Sequence, residues 1–222
     1  METVIYFLLS VLDSIAIISL MFRVYRFPFW EYFKEILLMA VIASVVSYVV
    51  RVVLGVPALD MAVQYTLYVL LLRFIIKVRF FPALLVGAVG YLSYTAIQFI
   101  VYPLLIVTGV VTLDDGQAIQ GAGTYIIQIT SDMVSFIVCW FMYHFNLGYA
   151  CFVRPPHDFD LKDKMTGTNL YMAWAVVPAV IVIFSTLYWI LNHNAHILIV
   201  LPTVAASLYI LIYLSRRKDF GL

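Results

Sequence analysis

Two aspartates lie in the middle of apolar runs, where a carboxyl group is costly and by default serves a purpose. Asp13 sits in the run from Val4 to Phe22 and Asp132 in the run from Thr124 to Phe145. Each is about nine residues, or about 13 Å of helix, from one end of its run, so the two reach similar depth. No lysine or arginine lies at that depth to pair with them. Side by side, they could share a proton, bind a cation or receive a cationic ligand, and at least one is expected to carry a proton. The plainer alternative is a protonated aspartate that hydrogen-bonds a neighbouring helix.

More polar residues join this pair. Gln128, Ser131, Asp132 and Ser135 follow the i, i+3, i+4, i+7 spacing of one helical face, which is expected to point into a bundle. With Gln98 they outline a polar ligand pocket formed by Asp13, Gln98, Gln128 and Asp132. For Thr130, Ser131 and Ser135 the expectation is hydrogen bonding between helices, worth about 0.6–2 kcal/mol per contact. The glutamines are open between the two roles.

Catalytic signatures are absent from the sequence. It has no Gly-rich phosphate loop, nucleophile elbow, metalloprotease helix motif or Cys-rich zinc site. Asp13 and Asp132 meet the minimum for an intramembrane aspartyl enzyme, but neither lies in a catalytic motif, so the reading is non-enzymatic and without a cofactor. His193 and His196 have a spacing that could hold a metal on one helical turn. With no cysteine or carboxylate beside them they read as a polar loop, and no metal site is expected.

The elements that must position these residues are membrane helices. Hydrophobic residues make up 65% of the 222-residue chain and charged residues 11%, against about 45–50% and about 25% in ordinary soluble domains. A span needs about 20 apolar residues, and in hydrocarbon only helices or closed barrels satisfy the backbone. The runs lack the alternation of barrel strands. The expectation is an all-α bundle forming a single domain over residues 1–222, with seven spans at 4–22, 36–54, 61–76, 82–107, 124–145, 170–191 and 197–214. The third is the weakest, with Arg73 near its end. Pro103 is expected to kink or end the fourth, and Pro178 and Pro202 could mark broken helices.

Twelve of the thirteen lysines and arginines fall in every second connection: Arg23, Arg26 and Lys34; Arg73, Lys77 and Arg79; Arg154, Lys162 and Lys164; Arg216, Arg217 and Lys218. Only Arg51 lies elsewhere. Because cytoplasmic loops carry the excess of Lys and Arg, this predicts an N-terminus outside, a C-terminus inside and a multi-pass cell-membrane protein. Asp60, Asp114 and Asp115 fall in predicted outer loops. Glu2, Asp13 and the lack of a basic leader argue for an uncleaved first span. Cys139 and Cys151 should lie at different depths as free thiols. Trp30, Tyr25, Tyr32, Tyr143 and Trp189 suit an interfacial belt, and Ala83 with Gly87 allows close helix approach. The basic residues track loops rather than one face, so no nucleic-acid partner is expected.

Seven short-looped helices, an outside N-terminus and a basic inner stub resemble the membrane sensor half of bacterial peptide-receptor histidine kinases of the accessory-gene-regulator type. Locally, Tyr143–Gly148 running into Val153–Phe159 is similar to stretches of membrane proteins from spore-forming Gram-positive bacteria. Such receptors continue into a phospho-accepting helix and an ATP-binding domain, whereas this chain stops at Leu222. The resemblance implies a sensor module that takes a small molecule or peptide from outside and signals through a separate kinase or other membrane partner. That partner would dock on Arg154 and His157 of the longest inner loop and on Arg216, Arg217 and Lys218. The loop could equally be a stiff turn among anionic headgroups. A homodimer is compatible with the sequence but marked by no motif. The alternatives are a small transporter, or its substrate-binding subunit, using the aspartates for coupling, and a structural subunit of a larger complex.

Overall fold

The computed structural model describes residues 2–116, 118, 121–152, 155, 167–192 and 197–220. Among them the secondary structure is entirely helical. The long helices are α1 (Glu2–Val24), α2 (Phe33–Tyr48), α3 (Asp60–Phe74), α4 (Phe80–Val107), α5 (Ala122–His144), α6 (Thr168–Asn192) and α7 (Ile197–Asp219). Five stretches among the described residues are long and apolar enough to cross a membrane: α1, α2 with its following turn, α4, α5 and α6 as far as Thr186. These helices mark a membrane protein. The fifteen residues of α3 span about 22 Å, short of the roughly 30 Å of hydrocarbon.

The prolines do not break the helices. α4 runs unbroken through Pro103 for 28 residues, about 42 Å, and ends only at Val107. Pro178 and Pro202 likewise lie inside continuous α6 and α7. A membrane helix tolerates proline because its neighbours can re-satisfy the freed backbone groups. The fourth helix therefore does not end at Pro103 but runs to Val107, where the fourth run was expected to end.

α4 is the central helix, packing against α1, α3, α5, α6 and α7, while α1 packs against α2, α4 and α5. Small residues permit this. Ala83 is fully buried, a side chain at Gly87 would press on Val69, and Gly90 lies against the backbone of Met21 on α1. α5 shows an inverted pattern for a helix in water: it buries Gln128, Ser131, Asp132 and Ser135 and exposes Ile129, Met133, Ile137 and Trp140. That is the arrangement expected where the surroundings are hydrocarbon and the polar face must turn inward.

One end of the bundle is tied together by polar contacts. Arg23 lies 4.4 Å from the ring centre of Tyr143 at the end of α5. The Tyr149 amide donates to the Val24 carbonyl (2.8 Å), and Tyr25 and Ser215 share a hydrogen bond of 3.1 Å between α1 and α7. The Ala150 amide donates to Asp219 (2.9 Å), and Lys218 Nζ sits 4.2 Å from the Phe152 ring centre. Of the expected docking residues, Arg216, Arg217 and Lys218 form the last turn of α7, with Arg216 over Phe220. Arg154 and His157 lie outside the described residues, as do His193 and His196.

Both cysteines are free thiols. Cys151, in the connection after α5, has its thiol pushed up to about 12 by burial. At pH 8 it should hold roughly a thousandfold less thiolate than an ordinary cysteine. Maleimide should therefore modify it slowly in the folded protein and rapidly in SDS; equal rates in the two conditions would show that the loop does not pack as described.

Candidate functional site

A cavity of about 190 Å³ opens among α1, α2, α3, α4 and α5, running from the α4–α5 connection at Asp115 and Gly116 to Asp13. The helices deliver its polar groups by simple spacing. Asp60 and Gln64 are four apart on α3, and Tyr91, Tyr94 and Gln98 follow one face of α4. Each apolar helix thus turns a short polar stripe toward the same space.

At the cavity floor, the Tyr94 hydroxyl lies between two carboxyl groups. It makes a short hydrogen bond with Asp13 Oδ1 and one of 2.9 Å with Asp132 Oδ1. A phenol has one proton to give. Both contacts are satisfied together only when one carboxyl carries a proton and donates it back to the phenolic oxygen. Gln128 Nε2 donates to Asp13 Oδ2 at 3.1 Å. The outcome is one proton-sharing cluster built from α1, α4 and α5.

The structure brings the four expected residues to one region. Asp13, Gln98 and Gln128 line the cavity, and Asp132, fully buried, stands directly behind Tyr94. Tyr94 itself is absent from the sequence reading. The hydroxyl expectation is corrected. Thr130 and Ser135 donate to carbonyls four residues back in α5 rather than to other helices, a local bond always within reach of a helical Ser or Thr. The helix-to-helix hydroxyl bonds come mainly from tyrosines: Tyr94 to Asp13 and Asp132, and Tyr65 to the Leu84 carbonyl at 3.1 Å.

A second polar centre sits nearer the mouth. α2 passes into a five-residue π turn, Val49–Val53, with the i to i+5 bond from the Leu54 amide to the Val49 carbonyl at 2.8 Å. Such turns collect at functional sites. This one carries Arg51, whose Nε donates to Asp60 Oδ2 at 2.7 Å. Asp60 is not in a loop, as the sequence suggested. It opens α3 and is 2% exposed. The signal that could have found this pair is Arg51 itself, the one basic residue outside the four clusters. At the mouth, Asp115 accepts from the Thr112 amide (2.7 Å) and hydroxyl (2.8 Å). These bonds hold its carboxyl below the usual range, so it stays ionised at neutral pH.

The described residues bring together no group of three or more His, Cys, Asp and Glu suited to a metal ion. What the geometry offers is recognition: ionisable groups at two depths, amides between them and aromatic walls. No protein-family model, curated protein or solved structure matches this chain.

Proposed function

We propose that this protein is a non-enzymatic membrane sensor that crosses the cell membrane seven times, with its N-terminus outside and its C-terminus inside. It takes a ligand from outside into the cavity above Asp13 and passes the change to a separate partner at the inner face. The observation that carries this reading is the cavity itself, whose floor is the Asp13–Tyr94–Asp132 cluster. A polar pocket with a few converging ionisable groups is the default binding site of a membrane bundle. The orientation is supported by the separation of charge: Arg23, Arg26 and the basic end of α7 gather at one end, Asp60 and Asp115 at the other.

α1 offers the route between the two ends. It carries Asp13 into the cavity, and just past its far end Tyr25 bonds Ser215, one residue before the basic turn Arg216–Lys218. A shift of α1 on ligand binding would move that turn and the loop held on Val24. The transporter alternative draws on the same shared proton, but continuous α4, α6 and α7 lack the broken helices that mark many transporter sites.

Native mass spectrometry of the gently purified chain tests the proposal. A co-purifying small molecule or protein is the expected result, and Asp13→Asn combined with Asp132→Asn should lose the small molecule. An empty monomer, together with substrate accumulation in proteoliposomes, would replace the sensor reading with the transporter.

A further inference from the structure

Three oxygens of the cavity-lining residues have no protein hydrogen-bond partner: Asp60 Oδ1, Gln64 Oε1 and Gln128 Oε1. Their residues are 2%, 6% and 9% exposed. The orientation of each amide is set by its other end. Gln64 Nε2 donates to the Ala43 carbonyl at 2.8 Å, and Gln128 Nε2 to the Asp13 carboxyl at 3.1 Å. Turning either amide over would set oxygen against oxygen. Buried acceptors left unpaired are costly, so the walls call for a donor.

Two donors of the walls are already engaged. The Arg51 guanidinium is on Asp60, and the Tyr94 hydroxyl lies between Asp13 and Asp132. Charge follows the same pattern. Arg51 balances Asp60, no further lysine or arginine lines the cavity, and the carboxyl groups of Asp13 and Asp132 stand at its floor. The lining also includes the aromatic residues Tyr6, Tyr91 and Phe99, a residue type whose ring faces attract cations. A volume of about 190 Å³ equals the share of about six waters at about 30 Å³ each.

We infer that the cavity binds a small organic molecule through a primary ammonium group, which donates to the unpaired oxygens while its hydrocarbon part lies against the aromatic wall. This rests on the reading of the cavity as a ligand site. It adds the chemical class: a monocation of roughly ten heavy atoms or fewer, by the same volume.

Thermal unfolding of the full chain in nanodiscs tests it with three probes of one shape: 2-phenylethylammonium, uncharged 2-phenylethanol and anionic phenylacetate, at equal ionic strength. Only the ammonium should raise Tm, and progressively with concentration. Tetramethylammonium, charged but without N–H groups, should bind about tenfold more weakly or worse. Asp13→Asn should weaken 2-phenylethylammonium about tenfold or more. Asp60→Asn, which frees Arg51, should move the preference toward phenylacetate. Stabilisation by the alcohol or by phenylacetate in the unmodified chain overturns the inference while leaving a ligand site of other chemistry. An equal response to sodium chloride, or no response to any probe, also overturns it. The sensor reading is tested separately, by native mass spectrometry with proteoliposome uptake, and these probe results leave it standing.

Discussion

Replacing Tyr94 with phenylalanine should destabilise the bundle by about 2 kcal/mol, well above the roughly 0.6 kcal/mol average of a hydrogen bond between membrane helices. The reason is its position between Asp13 and Asp132. Removing one hydroxyl leaves two carboxyl oxygens to find partners. Asp132 Oδ2 already lacks one and the residue is fully buried, so it has nowhere to turn. Tyr65→Phe is the matched control. Its hydroxyl donates at 3.1 Å to the carbonyl of Leu84 within α4, so its loss should cost under about 1 kcal/mol. Tyr94→Phe combined with Asp132→Asn should recover more than half of the loss, because an Asn amide can donate to Asp13. Denaturation midpoints in detergent read all three variants. If Tyr94→Phe is no worse than Tyr65→Phe, the three-way cluster does not exist.

Gly90→Ala should act through the backbone and reach the same cluster. A Cβ at Gly90 would lie 2.1 Å from Met21 Cγ and 3.0 Å from Met21 Cα and N. The Met21 side chain is fully buried and can yield only by repacking, and its backbone must move with the whole of α1. Overpacking of this kind costs about 1–3 kcal/mol. Gly87→Ala, whose Cβ would meet Val69 Cγ2 at 3.2 Å and the Tyr65 ring at an ordinary 3.5 Å, should be milder. Met21→Ala in the Gly90→Ala background should relieve the side-chain clash but not the backbone one, giving partial rescue. Tyr94 is one helical turn beyond Gly90 on α4, so pushing α1 away also pulls Asp13 from the Tyr94 hydroxyl. Ligand affinity should fall alongside stability. Gly90→Ala with full stability and unchanged binding would show that α1 and α4 do not meet there.

Local pattern accounts for what could be read directly from the chain. The apolar runs lack the alternation of barrel strands, which leaves the helix as the backbone solution, so each expected run falls on a helix, and five stretches among the described residues are long and apolar enough to cross a membrane. The buried face of α5 follows from spacing alone. Asp13 and Asp132 could be matched in depth because depth in a helix is a count of residues. Tyr94 could not be found this way: it is one of sixteen tyrosines, and what distinguishes it is which helices pack beside α4. Asp60 was assigned to a loop because the third run was read as starting at Met61, and a charged residue at the edge of an apolar run carries no sign of whether it opens the helix. Gly90 outranks Gly87 as a contact point only once α1 is in place. Of the two outcomes expected at Pro103, an end of the helix is not what occurs, because the helix has neighbours on its far side to go on packing against.

Thiol accessibility at Gln98 tests the outward-opening cavity most directly. Gln98 lines the cavity and is partly exposed. In a chain carrying Cys139→Ala and Cys151→Ala, Gln98→Cys would be treated with a membrane-impermeant maleimide, applied to intact cells and to inverted membrane vesicles, with Gly116→Cys at the mouth as the reference. A cavity that opens outward requires labelling of both positions in intact cells and of neither in inverted vesicles, with Gln98→Cys slowed by 2-phenylethylammonium. Labelling of Gln98→Cys only from the inverted side would contradict the proposed orientation and the receipt of a ligand from outside. Labelling of Gly116→Cys alone would mean that the cavity does not open at all.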